Sequence, residues 1–193
     1  MKLIELIRQQ AEALNNAGVV FGHGTTNAFD EAAWLVLWKL GLPLDTDLGD
    51  DSIRNSPLGH VECSQVATLF EARISSRKPA AYLTREAWLQ GVPFYVDERV
   101  IVPRSLIAEL LEDGSIDPWL TESTHKVLDL CTGNGSLAIL AAMAFPEVSV
   151  TASDLSTDAL AVARINVDKH ALATRIELVP SDGLKAADRK SVV

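Results

Sequence analysis

The segment from Lys126 to Asp154 constrains the fold most. An apolar run, Val127-Leu128-Asp129-Leu130, passes into the turn Cys131-Thr132-Gly133-Asn134-Gly135. Nine uninterrupted apolar residues, Leu137 to Phe145, follow and are closed by Pro146. The first run has the length and character of a buried strand, and the second that of a helix packed on a sheet. A second strand over 149–154, a helix capped by Ser156 and running to about His170, and a third strand over 175–182 complete the pattern. Strand-helix-strand-helix-strand is half of a doubly wound parallel sheet. Gly133 and Gly135 permit close approach of a ligand to the backbone, and the start of the helix presents unpaired N–H groups.

The acids narrow the ligand. Asp154 follows Gly133 by 21 residues at the end of the second strand, where a carboxylate can bond ribose hydroxyls. Asp182 ends the third strand, beside the place an adenine would take. A dinucleotide site also fits the spacing, since Gly133, Gly135 and Ala138 satisfy Gly-x-Gly-x-x-Ala. Asp129, however, enters the turn as an acid. Its charge is unfavourable beside a pyrophosphate and favourable beside the sulfonium and ammonium of S-adenosylmethionine. Three acids on three successive strand ends suit a cationic nucleoside. Thr132, Gly133, Asn134, Gly135 and Asp154 are therefore expected to hold it, with Asp129 nearby and Asp182 near the adenine. Cys131 is expected to offer its backbone, with no nucleophilic role for its thiol.

The residues before this segment read differently. Leu3, Ile4, Ile7, Ala11 and Leu14 recur at helical spacing up to Gly18. Asn27 is placed to cap a second helix carrying Phe29, Ala32, Ala33, Val36, Leu37 and Leu40, stopped by Gly41. Asp30 and Glu31 lie in its first turn, where the helix dipole favours negative charge. A third helix from about Ser64 would bury Val66, Ala67, Phe70 and Ile74 before Pro79. Between the first two lies Phe21-Gly22-His23-Gly24-Thr25, and His23 is expected to order the next helix start rather than act as a base. Phe94–Val96 and Val100–Val102 are expected as a hairpin around Asp97-Glu98-Arg99, and Ser105 as the cap of a helix through Leu106, Ile107, Leu110 and Leu111. The expected organisation is a helical domain over 1–80, a hairpin linker over 81–104 and an α/β domain over 105–193.

Composition closes several alternatives. The net charge of −9 carries no basic cluster larger than Arg77-Lys78, which disfavours direct nucleic-acid binding. The longest apolar run is far short of the roughly 20 residues of a membrane-spanning helix. Glu5 and Arg8 interrupt what would be the apolar part of a signal peptide. The two cysteines, Cys63 and Cys131, form no paired motif, so a reduced cytoplasmic setting is expected. His23, His60, His125 and His170 show no metal-ligand spacing. The acids Asp45, Asp47, Asp50 and Asp51 lack a calcium-loop pattern and read as a solvated loop.

Three runs together are specific: Pro79-Ala-Ala-Tyr82-Leu83-Thr84, Phe94-Tyr-Val-Asp97-Glu98-Arg99-Val-Ile-Val-Pro103-Arg104-Ser105, and Asp129-Leu-Cys-Thr-Gly-Asn-Gly135. They closely resemble the protein-glutamine methyltransferases of the HemK/PrmB type. Phe21-Gly-His-Gly-Thr25 and Cys131 in the glycine turn resemble the PrmB branch, whose substrate is the third protein of the large ribosomal subunit. The resemblance implies a helical substrate-binding domain, a hairpin linker and a Rossmann-like class I methyltransferase domain. It implies S-adenosyl-L-methionine as donor and methylation of a glutamine side-chain amide. An amide nitrogen is a poor nucleophile, and the family answers with an Asn-Pro-Pro-Tyr loop after a fourth strand. That string does not occur in the 193 residues. The chain is thus expected to hold the first half of the fold and the donor part of the site, with no catalytic residue of that loop. Such a piece is expected to be inactive alone and to self-associate through an exposed sheet edge. Arg104 lines the site entrance or closes the hairpin by a salt bridge; both readings stay open. A nucleic-acid base methyltransferase, which can use a related Asn-Pro-Pro loop, and a non-catalytic interaction protein are the rival readings.

Overall fold

The computed structural model describes residues 1–121 and 123–185. The chain divides into two compact units, Met1–Thr84 and Arg85–Val193. The division falls four residues beyond the expected boundary, and the hairpin belongs to the second unit rather than forming a separate linker.

The first unit is helical: α1 (Leu3–Asn16), α2 (Ala28–Leu40), α3 (Asp51–Arg54), α4 (His60–Ser76) and α5 (Ala80–Thr84). Leu3, Leu6, Ile7 and Leu14 of α1 meet Ala32, Leu35 and Val36 of α2 and Val66 and Phe70 of α4 in one core. The Asn27 side chain accepts the Asp30 N–H at 2.9 Å, and Gly41 ends α2 in the left-handed conformation at φ 67°. Phe29, expected on the buried face, is on the exposed side, and Leu35 takes that place. α4 begins at His60, four residues before the expected start, because Glu62 Oε2 reaches back to accept the Gly59 N–H at 2.6 Å.

Glu31 is more than a first-turn acid favoured by the dipole. It is buried and paired with Arg73 Nε at 2.7 Å. Arg73 also donates to the Val20 carbonyl at 3.3 Å, and Thr25 Oγ1 donates to Glu31 Oε2 at 3.2 Å. This ion pair and the Asn27 cap, rather than the exposed His23, order the loop before α2. Asp47 and Asp50 serve local turns, accepting the Gly49 N–H and the Ser52 N–H, each at 2.7 Å.

The second unit opens with a hairpin displaced from its expected position. Its strands are β1 (Glu86–Leu89) and β2 (Val92–Tyr95), paired Glu86 to Tyr95 through Leu89 to Val92. Gln90 and Gly91, both at positive φ, make the two-residue turn that strand twist favours. Residues 97–99 instead close on themselves: Arg99 Nη2 lies 2.6 Å from Asp97 Oδ2, and the Tyr95 hydroxyl donates to the same carboxylate at 2.9 Å. The Arg99 guanidinium holds the Asp97 carboxyl well below the usual carboxylate range. Val100–Val102 forms no strand. Ser105 caps α6 (Leu106–Glu112) as expected, accepting the Ile107 N–H at 3.1 Å. Only Ala108 of that helix is buried; Leu106, Ile107 and Leu110 face outward.

The sheet is parallel. β3 (Lys126–Leu130), β4 (Ser149–Asp154) and β5 (Ile176–Pro180) lie in the order β3-β4-β5, connected through α7 (Ser136–Ala144) and α8 (Thr157–Lys169). Ser156 caps α8 by accepting the Ala159 N–H at 3.2 Å. Ala138, Ile139 and Ala142 of α7, Val150 and Ala152 of β4, Val167 of α8, Ile176 of β5 and Phe94 of the hairpin share one core. This is the α/β half-fold that the sequence implies. The correction concerns β3. It pairs with β4 alone among the described residues, as the expected exposed sheet edge requires, but its side chains are not the buried run expected: Leu128 and Leu130 are 40% and 41% exposed. An edge strand keeps one row of backbone N–H and C=O groups unpaired.

Candidate functional site

The glycine turn connects the C-terminal end of β3 to the N-terminal end of α7. Cys131 leaves the strand in the left-handed conformation, φ 58°, which a side chain adopts only at a cost of roughly 1–2 kcal/mol. The Thr132 N–H then donates to the Ser153 carbonyl at 2.9 Å, carrying the ladder with β4 two residues past the strand. Gly133 and Gly135 are left-handed at φ 57° and 82°. Their requirements differ. A Cβ on Gly133 would touch nothing within 4 Å, so this glycine leaves open space over the turn. A Cβ on Gly135 would lie 3.2 Å from the Ala163 Cβ, so that glycine lets α8 approach.

Two carboxylates brace this turn from below. Thr132 Oγ1 donates to Asp129 Oδ2 at 2.5 Å. The Gly133 N–H donates to Asp154 Oδ2 at 2.9 Å, while Asp154 Oδ1 accepts the Ser156 N–H at 2.9 Å. Each carboxylate oxygen has two acceptor positions, so Asp154 keeps capacity for hydroxyl donors beyond these bonds. Burial pushes the Asp129 carboxyl up; the Thr132 hydroxyl opposes this and the neighbouring Asp154 charge adds to it. Negative charge is therefore concentrated on the underside of a backbone turn, a poor environment for a phosphate and a good one for a cation.

Asn134 lies between the two glycines and is 4% exposed. Its Oδ1 accepts the Ser136 N–H at 3.3 Å, and its buried Nδ2 has no partner. An orphaned buried donor in this turn marks where a ligand acceptor fits. The residues present thus fit a cationic nucleoside: open space over Gly133, an unpaired amide donor, and two acids beneath.

The remaining expected residues are placed differently. Asp182 follows β5, and Ser181 N–H donates to the Asp154 carbonyl at 2.9 Å, so it lies on the strand end next to Asp154. Its carboxylate is exposed and pairs with Lys185 Nζ. Arg104 is exposed, and no ion pair involves it among the described residues. Asp97 and Arg99 make the salt bridge that closes residues 97–99. No group of three His, Cys, Asp or Glu side chains among the described residues is placed to hold a metal, and no helix there is long and apolar enough to cross a membrane.

Sequence reasoning missed one residue at the site. Asn166 of α8 is fully buried, and its Nδ2 donates to the Asn134 carbonyl at 2.9 Å and to the Tyr95 carbonyl at 3.0 Å. Its Oδ1 accepts the Tyr95 N–H at 2.6 Å. The signal was available: an amide side chain within the buried stripe of Ala159, Leu160, Val162, Ala163 and Val167 has to find internal partners.

The strand–glycine turn–helix with an acid on the second strand defines the second unit as a Rossmann-like nucleotide-binding fold, and its class is that of a methyltransferase domain. Residues 110–192 match the family model of the methyltransferase small domain. The chain is 53% identical over 180 residues to the ribosomal protein uL3 glutamine methyltransferase of Burkholderia pseudomallei, covering 92% of this chain and 57% of that protein. It is 50% identical over 178 residues to the protein of that name from Bordetella pertussis, covering 91% and 58%. For the Neisseria meningitidis serogroup A protein the identity is 47% over 180 residues, covering 92% and 58%. These matches agree with the resemblance to protein-glutamine methyltransferases read from the sequence. The chain spans somewhat more than half the length of these curated relatives. Among solved structures, a SAM-dependent methyltransferase from Agrobacterium tumefaciens aligns at 24% identity with a TM-score of 0.43, covering 54% of this chain and 34% of that one; the assignment rests on the topology and the sequence matches instead.

Proposed function

We propose that the second unit binds S-adenosyl-L-methionine for methyl transfer to a glutamine side-chain amide of a large-subunit ribosomal protein. The observation that carries this reading is the pair of carboxylates, Asp129 and Asp154, bonded to the consecutive turn residues Thr132 and Gly133. Asp154 would accept hydrogen bonds from ribose hydroxyls. Asp129 would hold negative charge beneath the cationic end of the donor. The free Asn134 Nδ2 would donate to its carboxylate, and the open space over Gly133 would let the backbone approach it. When bound, the donor supplies a methyl group made electrophilic by the adjoining sulfonium. The protein's part is then orientation and electrostatic complementarity rather than proton transfer. The Asn-Pro-Pro-Tyr loop implied for the amide is not among the 193 residues, and these roles concern donor binding.

The names of the relatives support the ribosomal protein as substrate, and the helical first unit is the part available to recognise it. A cytoplasmic setting follows from such a substrate, and the acidic balance disfavours direct nucleic-acid contact. Calorimetric titration with S-adenosylmethionine and with NAD tests the donor reading. Tighter binding of the methyl donor is expected; tighter binding of NAD would overturn it.

A further inference from the structure

The geometry points to Asn166 as a positioning residue for the donor turn, coupling the hairpin to it; this rests on the donor reading above. A turn with glycines on both sides of one residue has little intrinsic preference for a single conformation. The peptide unit joining Asn134 and Gly135 is nevertheless held at both ends. Its N–H donates to the Thr132 carbonyl at 2.9 Å and its carbonyl accepts from Asn166 Nδ2 at 2.9 Å. Rotation of that peptide would break both bonds and leave a buried carbonyl unpaired.

Asn166 also serves both backbone groups of Tyr95, as a neighbouring strand would. One turn further along α8, His170 Nε2 meets the Pro93 carbonyl at 3.0 Å and its ring packs on Phe94 with centroids 5.5 Å apart. Helix α8 therefore grips β2 at alternate residues, 93 and 95, and only the Asn166 grip continues into the glycine turn. The two grips can be separated by substitution. Both join α8 to the hairpin; one of them also fixes the backbone beneath the donor.

Asn166→Asp keeps the shape and the acceptor for the Tyr95 N–H but removes the donor shared by the Asn134 and Tyr95 carbonyls. His170→Phe keeps the ring on Phe94 and removes the bond to Pro93. Each chain is titrated with S-adenosylhomocysteine at a temperature where circular dichroism shows it folded, and amide exchange is followed at Gly135. Asn166→Asp is expected to weaken binding at least tenfold and to speed exchange at Gly135. His170→Phe is expected to stay within twofold of the parent even where its melting temperature falls as far. If Asn166→Asp does not fold, the milder Asn166→Ser carries the same comparison. Binding within twofold of the parent in the Asn166 variant, or equal weakening in the His170 variant, would overturn the assignment and leave Asn166 a packing residue. Failure of the parent chain to bind S-adenosylhomocysteine would instead overturn the donor reading, and this inference with it.

Discussion

Replacing Asp154 by alanine tests the site most directly, because that carboxylate has two separable duties. In the structure it accepts the Gly133 and Ser156 N–H groups, both at 2.9 Å, and so joins the glycine turn to the start of α8. In the complex it would also accept ribose hydroxyls. A hydrogen bond to a charged group contributes about 1.5–3 kcal/mol, so loss of the ribose contact alone should weaken donor binding roughly 10- to 160-fold. The alanine chain should also lose stability, since the half-buried Gly133 N–H is left without its acceptor at a cost of about 1–3 kcal/mol. Asp154→Asn separates the two effects, because its one amide oxygen can serve a backbone N–H while the charge is gone. Calorimetry with S-adenosylmethionine well below each melting temperature, beside urea denaturation of the ligand-free chains, reads both quantities. A stability loss with unchanged affinity would show that Asp154 only braces the turn and that the ribose lies elsewhere.

Asp129→Asn should alter the pH dependence of stability. A carboxyl raised in the folded state binds its proton more tightly there than in the unfolded chain, so folding stability falls as pH rises from about 3.8 through the folded value. The asparagine chain should lack that component and be relatively more stable at neutral pH while binding the donor more weakly; parallel melting curves for the two chains across pH 4–7 would contradict this. In the first unit, Arg73→Met should cost about 3–5 kcal/mol by urea denaturation, because it leaves Glu31 buried without its partner; a loss below about 1 kcal/mol would show that the pair is not desolvated. Gly135→Ala should destabilise the ligand-free chain more than Gly133→Ala, since only the former drives a Cβ to 3.2 Å from Ala163. The order should reverse when donor affinity is compared among folded chains, and equal effects in both assays would refute the distinct roles of the two glycines.

The parts of this fold governed by local chemistry were legible in the sequence. The caps Asn27, Ser105 and Ser156 and the strand Ser149–Asp154 lie where side-chain acceptors and β-branched alternation put them. The glycine turn was equally legible, because its backbone conformation selects its residues. What escaped was long-range pairing. The hairpin turn passed to Gln90-Gly91 because two consecutive left-handed residues suit a tight turn, whereas Asp97 and Arg99 had a shorter route to each other. Glu31 was given a dipole role because its partner lies 42 residues away. The unpaired edge of β3 follows from the topology, whereas the exposure of Leu128 and Leu130 does not, because an apolar run reveals hydrophobicity and not what covers it. Around the glycine turn, Asp154 stands out by its spacing and Asp129 by its place at a strand end, whereas Asn166 does not stand out, because an asparagine on a helix carries no motif.

The grip of Asn166 on Tyr95 spans 71 residues, and that separation has a consequence for synthesis. At roughly 5–20 residues per second, the hairpin leaves the ribosome about 4–14 s before the side chain that satisfies its last residue. The hairpin can close on itself in microseconds, but two short strands are only marginally stable by themselves. Its apolar Phe94 has no core to enter until α7, β4 and α8 have been made. The growing chain therefore passes through an interval in which a completed first unit precedes an unanchored hairpin, and a nascent-chain-binding chaperone would find its window there.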